Sequence, residues 1–217
     1  MKGMLIKDFS LLKGQKHFLL AVAAVSFLLL FVTEQYYFGV GYVGVMFEMF
    51  SLSTIAYDEY DNGNPFLFTL PISRKGYVKE KYVFGLLTAL GGCIVNMVLI
   101  VVMQIAKKDS GADIQVMFVT MAGALAAGMV MIAFTMPLQF KFGSEKRQIA
   151  MMISFIIVFF VVFCGQSLTD RFGVPGFVKK LSGMSIESIA ALSAAIVIAL
   201  VCASYLVSVR IMEKKEF

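Results

Sequence analysis

The feature that most constrains this chain is a series of long apolar runs, each separated from the next by a short polar or charged break. Hydrophobic residues occupy 59% of its 217 positions, and charged residues occupy only 15%. Soluble domains carry about 25% charged residues, whereas a helix that crosses a bilayer needs about 20 mostly apolar residues. The pattern therefore predicts an all-α membrane protein whose short loops leave no room for a soluble catalytic domain.

The apolar runs predict six transmembrane helices within a single transmembrane domain, residues 1–217. Between the first two spans we expect a tight outer turn near residues 34–41, because Gly39 and Gly41 suit a turn backbone. The glycine-rich stretch 167–185 could form a re-entrant or interfacial hairpin on the outer side. The spans are expected at about 18–34, 38–57, 82–105, 114–138, 148–166 and 186–209.

The first 17 residues mix apolar side chains with lysines at helical spacing. Lysine stems can lie along an apolar surface while their ammonium groups reach the headgroups, where anionic lipid attracts them. We interpret residues 1–17 as a cytoplasmic interfacial helix in contact with membrane lipid. A frayed basic tail that only sets the topology is the alternative.

The distribution of basic residues indicates the orientation of the chain. With a cytoplasmic amino terminus, 14 of the 19 Lys and Arg residues fall on the inner side and five on the outer side. This is the positive-inside bias, and it predicts that both termini and the charged segment 58–81 are cytoplasmic. The five outer residues are Lys107, Lys108, Arg171, Lys179 and Lys180.

The titratable residues offer little for catalysis or metal binding. The single histidine, His17, lies at the start of the first span, so the chain has neither a His pair nor a buried serine–histidine arrangement. Its cysteines, Cys93, Cys164 and Cys202, lack the spacing of a zinc site. We expect no enzymatic activity on this chain, no metal and no nucleic-acid partner.

One acidic residue, Glu48, is predicted near the middle of the second span. A carboxylate at that depth is costly, so it should face protein or a water-filled cavity, and it is a candidate cargo or gating residue. A structural glutamate, protonated or hydrogen-bonded between helices, is supported equally well by the sequence.

The charged segment 58–81 contains two helix-start signals. Asparagine can cap free backbone N–H groups and proline suits the first helical position, so Asn64-Pro65 predicts a short helix over residues 66–70. Pro71 would end that helix, and Ser73 could cap the next one. The segment therefore predicts a short cytoplasmic helix between the second and third spans.

Two aromatic side chains, Phe66 and Phe68, would lie on this short helix. An exposed aromatic pair can anchor a helix in the groove of a partner protein. The same two side chains could instead pack back against the membrane interface. The residues by themselves favour neither interpretation.

The segment AYDEYDNGNPFLFTLPISRKGYVKEKY, residues 56–82, resembles the region between the second and third spans of ABC-transporter permeases of the two-component exporter type. Those permeases carry an acidic stretch, a TLPxSR-like run and a lysine–tyrosine pair that leads into the third span. The opening MKGMLIKDFSLLK and the six-span layout extend the resemblance over nearly the whole chain, although residues 61–64 lack the family's usual aromatic. The matching residues are Asp58, Glu59, Thr69, Leu70, Pro71, Ser73, Arg74, Lys81 and Tyr82.

The resemblance implies a homodimer of permease subunits, in the cytoplasmic membrane of a bacterium, that pairs with separately encoded ATP-binding cassette subunits. ATP and Mg²⁺ would bind to those partners, and this chain, which lacks a G-x-x-x-x-G-K-[ST] phosphate loop, would carry no cofactor. The short helix would be a coupling helix that docks on the ATPase. The docking residues implied are Asn64, Pro65, Phe66, Leu67, Phe68, Thr69 and Leu70.

Permeases of this size resemble exporters of amphipathic peptides, including phenol-soluble-modulin exporters. The resemblance therefore implies export of an amphipathic peptide or another apolar cargo. Peptide-antibiotic immunity or multidrug export is the alternative within the family. A passive channel or a scaffold is an alternative from another class.

Overall fold

The computed structural model describes residues 2–32, 36–60, 63–107, 114–143 and 186–215, together with residues 149, 152, 153 and 156. Within these residues the chain forms seven helices and no strand, which confirms the all-α prediction. Most of the predicted fifth span and the whole predicted outer hairpin lie outside the described residues. The helices are α1 (Lys2–Gly14), α2 (Lys16–Val32), α3 (Tyr36–Glu59), α4 (Gly63–Leu67), α5 (Arg74–Lys107), α6 (Ile114–Phe142) and α7 (Ile186–Lys214).

Four helices in the described part of the chain are long and apolar enough to cross a bilayer. The shorter α2 becomes a fifth candidate only when it is joined to α1, from which it is bent by 63°. That bend allows α1 to lie along the interface while α2 enters the bilayer, the arrangement predicted for residues 1–17. The four spans are Gly39–Glu59, Arg74–Ile105, Thr120–Phe142 and Ala191–Lys214.

Helix α5 begins well before the predicted span, at the end of the bundle that carries α4. Ser73 caps it, as predicted: the Gly76 N–H donates to Ser73 Oγ at 3.1 Å, and the Tyr77 N–H donates to the Ser73 carbonyl at 2.9 Å. A helix of 34 residues is about 51 Å long, whereas the hydrocarbon core measures about 30 Å. Part of α5 therefore extends out of the membrane beneath α4.

The predicted turn between the first two spans is wrong in its position, because α3 already begins at Tyr36. Gly39 lies inside a helix, where a Cβ atom would come within 2.6 Å of Leu30 Cγ. Ser26 Oγ donates to the Gly39 carbonyl at 3.3 Å across the same contact. Glycine permits close helix approach in membranes as readily as it permits turns, and here it serves the former.

The main core lies near the α4 end of the bundle, where α3, α5, α6 and α7 meet. Its centre is fully buried, and the rings of Tyr77 and Phe140 pack edge to face with centroids 6.0 Å apart. Met4 brings α1 into the same core, and the side chains that follow α4 pack on it. The core members are Met4, Leu52, Ile55, Tyr77, Val78, Tyr82, Ile132, Met136, Phe140, Val209 and Met212.

Candidate docking surface and the buried charge cluster beneath it

The short helix α4 lies between α3 and α5, and its position corrects the sequence prediction. It covers Gly63–Leu67, so Asn64 is buried inside the helix and does not cap it. The chain then forms turns: the Thr69 N–H donates to the Phe66 carbonyl at 3.1 Å, and the Leu70 N–H donates to the Leu67 carbonyl at 3.3 Å. The predicted helix over residues 66–70 lies too far along the chain, because proline is tolerated throughout the first helical turn and does not fix the first residue.

The seven predicted docking residues lie on two sides of this segment. Phe66 is 71% exposed, whereas Phe68 is partly buried against the core. Of the two phenylalanines predicted to be exposed, only Phe66 is. Pro65, Phe66, Thr69 and Leu70 are exposed, whereas Asn64, Leu67 and Phe68 are turned toward the bundle.

Phe68 attaches the segment to the bundle. Its ring packs edge to face on that of Tyr77, with centroids 5.7 Å apart, and the Arg74 guanidinium carbon lies 5.9 Å from its centroid. Aromatic pairs of this kind contribute about 0.5–1.5 kcal/mol beyond area burial. The fully buried Tyr77 in turn donates its hydroxyl to Asp58 Oδ2 at 3.2 Å. Phe68 therefore fixes the position from which Phe66 is presented.

A cluster of buried charges lies beneath α4, where α1, α3 and α5 meet. Lys81 Nζ lies 2.5 Å from Asp8 Oδ2 and 2.7 Å from Asp58 Oδ2, and it donates to Thr54 Oγ1 at 3.2 Å. The side chains of Lys81 and Asp8 are completely buried. Lys7 completes the cluster through ion pairs with Asp58 and, at 3.3 Å, with Asp8. Each of the three helices thus contributes at least one charge.

The two lysines and two aspartates of this cluster compensate one another, and the fully buried Glu80 lies 3.8 Å from Lys81. Burial lowers the pKa of the Lys7 ammonium, but its hydrogen bond to Asp58 and the charges of Asp58 and Asp8 outweigh that effect and raise its pKa above the usual 10.5. Removing one member of a buried, paired set leaves an uncompensated charge at high cost. The cluster therefore holds α1, α3 and α5 in one relative arrangement at the base of α4.

Patterns in the sequence do not predict this cluster, although Asp58 and Lys81 lie in the segment that resembles the permease family. Asp8 lies in the predicted interfacial helix, and nothing adjacent in the sequence indicates its partner. One signal was present: Asp8 is the single acidic residue among four lysines in residues 1–17. An acid placed toward protein in a membrane-associated helix needs a cationic partner elsewhere in the chain.

Glu48 lies inside the bundle on α3, 6% exposed, and faces α5 and α6. It lines a narrow cavity together with Asn96, whose Nδ2 donates to the Val40 carbonyl at 3.2 Å, and the Thr135 side chain lies within hydrogen-bonding reach of its carboxylate. The free space is about 10 Å³, close to the volume that one water needs. The cavity beside Glu48 therefore has no room for a cargo molecule.

The described residues do not offer a metal centre. No group of three or more His, Cys, Asp or Glu side chains within them is arranged to hold a metal ion. The carboxylates at the α4 end instead pair with lysines.

Comparison with known proteins identifies the family of the chain. The chain matches the family described as ABC-2 family transporter protein over residues 3–213, which include almost all of the described helices. No curated protein and no solved structure matches the chain at a significant level. The match extends over far more than half of the sequence, and the family is a membrane component of ABC transporters. The chain therefore belongs to the ABC-2 transporter family, as a multi-pass membrane protein of the permease type.

Proposed function

We propose that this chain is the permease subunit of an ATP-driven exporter, and that the exposed side of α4 and the turn after it docks on a separate ATP-binding subunit. The observation that carries the proposal is the contrast between Phe66 and its surroundings. Phe66 is 71% exposed, while the segment that presents it is fixed by Phe68, Tyr77 and the charge cluster.

A fixed, exposed aromatic side chain is suited to binding a partner. Full burial of a large apolar side chain stabilises a complex by about 1.5–3 kcal/mol, and aromatic residues dominate the energetics of interfaces. Because Phe66 is presented from an ordered base, its docking would cost little ordering entropy. The exposed neighbours Pro65, Thr69 and Leu70 would complete the contact.

The coupling would be a rigid-body movement. ATP and Mg²⁺ bind to the partner, and closure of two ATP-binding subunits displaces the docked α4. The contacts of Tyr77 with Asp58 and of Lys81 with Asp8 transfer this displacement to α3, α5 and α1. In this proposal two permease copies form a homodimer in the bacterial cytoplasmic membrane, with both termini and α4 in the cytoplasm, and membrane lipid surrounds α1.

We propose that the cargo is an amphipathic peptide, such as one of the phenol-soluble-modulin type, or another apolar molecule. Peptide antibiotics or drugs are the alternative cargo. The cavity beside Glu48 has room for about one water, so a peptide would need a path formed between two permease copies. Glu48 would act there as a gating residue that changes its contacts when the helices separate. These roles rest on the family membership and on the burial of Glu48.

The docking is tested by measuring the affinity of the purified permease, in lipid nanodiscs, for its ATP-binding subunit. We expect Phe66→Ala to weaken binding by about tenfold or more, the equivalent of 1.4 kcal/mol. Phe31→Ala is the matched control, because Phe31 is also an exposed phenylalanine but lies on α2. Equal affinity of the two variants would show that α4 is not the docking surface.

A further inference from the structure

We infer that residues 210–215, at the end of α7 and just beyond it, form a second set of contacts with the segment that joins α3 to α5, which we call the docking segment. Through these contacts, docking at α4 would act directly on the last membrane helix. The inference rests on the proposed function and deepens it by naming the positioning residues for this second route. Its structural basis is a set of side chains that do not belong to the charge cluster: Glu59, Arg74 and Lys215.

The two ends of the segment that joins α3 to α5 meet the last turn of α7 and the residue that follows it. At the start of the segment, Lys215 Nζ lies 2.9 Å from Glu59 Oε1. At its end, Arg74 Nη1 donates to the carbonyls of Met212, at 3.1 Å, and Glu213, at 2.7 Å. The docking segment is therefore held by the end of α7 both where the chain leaves α3 and where it enters α5.

These contacts are stronger than ordinary surface pairs. The last carbonyls of a helix have no partner within the helix, and a cation at this end also complements the helix dipole; Arg74 supplies both. The Glu59 side chain is buried and that of Lys215 is largely shielded. The nearby pair of Lys75 and Glu213, 3.3 Å apart, is exposed on both sides and contributes little.

Contacts between α7 and the rest of the bundle continue along the helix. Met212 is fully buried in the main core, beside the side chains of α5. Two turns further into the bundle, the Tyr82 hydroxyl lies 2.5 Å from Ser204 Oγ and 2.8 Å from Ser208 Oγ. A displacement of the docking segment therefore moves the end of α7, and the packed core passes the movement along the helix.

Two adjacent residues, Asp58 and Glu59, connect the docking segment to different helices. Asp58 pairs with Lys81 and with Lys7 of α1, whereas its neighbour Glu59 pairs with Lys215 beyond α7. Helices α1 and α7 therefore hold the base of the docking segment from two sides. Weakening the Glu59 contact should uncouple α7 while α1, α3 and α5 still follow α4.

The test uses the full permease with its ATP-binding subunit in nanodiscs. A single spin label is placed at Leu192 of α7, which is exposed, in a cysteine-free background, so that the label in one copy of the dimer reports its distance from the label in the other copy. The distance between the labels is measured without nucleotide and with ATP and vanadate. We expect Lys215→Gln to lose most of the ATP-dependent distance change, with binding of the ATP-binding subunit and its KM for ATP unchanged. Lys214→Gln, at an exposed neighbouring position, should behave as the wild type.

Exchanging the charges of Glu59 and Lys215 distinguishes a loss of coupling from a loss of folding. Glu59→Lys combined with Lys215→Glu should restore the distance change, and Lys215→Arg should retain it. A full distance change in Lys215→Gln, or no ATP-dependent change in the wild type, would overturn the inference. Failure of the wild-type permease to bind the ATP-binding subunit would instead overturn the proposed function.

Discussion

Lys81 Nζ lies 2.5 Å from Asp8 Oδ2, and both side chains are completely buried. The pair joins α5 to α1 across 73 positions of sequence. Asp58 of α3 lies 2.7 Å from the same ammonium group, so one lysine connects three helices directly beneath α4. The geometry of the proposed docking surface should therefore depend on a residue that is itself fully buried.

The first prediction concerns Lys81. Lys81→Met leaves Asp8 and Asp58 with only the partly exposed Lys7 as a cation, and removal of one partner from a buried ion pair destabilises a protein by about 3–5 kcal/mol. Lys79→Met, on the exposed side of the same helix, should stay within about 0.5 kcal/mol of the wild type. Unfolding in mixed detergent micelles measures both variants. Equal stabilities would contradict the structural role of the cluster.

The second prediction concerns the contact between α5 and α7. The Tyr82 hydroxyl bonds to Ser204 and Ser208, so Tyr82→Phe should lower the free energy of unfolding by about 1–2 kcal/mol. Tyr205 packs edge to face on Tyr82, with centroids 5.6 Å apart, and Tyr205→Phe keeps that ring contact. The same unfolding assay should show little change for Tyr205→Phe. A loss no larger for Tyr82→Phe than for this control would contradict the assigned hydrogen bonds.

The third prediction concerns Glu48. Glutamine keeps the shape of the side chain but removes the titratable group, so Glu48→Gln should preserve assembly and reduce the pH dependence of transport. Uptake of a labelled amphipathic peptide into inside-out vesicles, measured across a pH series, provides the test. Glu213→Gln, which changes an exposed carboxylate far from the cavity in sequence, is the control. An unchanged rate and pH profile for Glu48→Gln would restrict Glu48 to a structural role.

Local signals in the sequence predicted part of the local structure. Hydropathy predicted long apolar helices, because each span satisfies its own backbone, and four helices in the described part of the chain are long and apolar enough to be spans. The cap at Ser73 was predictable because it uses residues only three or four positions apart. Gly39 was misplaced because the same residue type serves turns and helix contacts. The first residue of α4 was misplaced because Pro65 is compatible with any position in the first turn.

The charge cluster and the contacts between α7 and the docking segment could not be predicted from local patterns. Asp8 and Lys81 meet only after α1, α3 and α5 have packed, and Lys215 meets Glu59 across 156 positions. In the sequence each of these residues resembles an ordinary charge near a membrane boundary. Their partners are decided by the three-dimensional packing of the helices, which periodicity and capping signals do not encode.

The most direct test of coupling through α4 is the rate of ATP hydrolysis by the ATP-binding subunit, measured with the permease in nanodiscs. The wild-type permease and Phe31→Ala should change that rate equally, because Phe31 lies on α2, away from α4. Phe66→Ala should leave the rate at the value of the ATP-binding subunit alone, because the exposed ring at the centre of the docking surface is missing. A rate for Phe66→Ala equal to that of the wild type would contradict coupling through this surface.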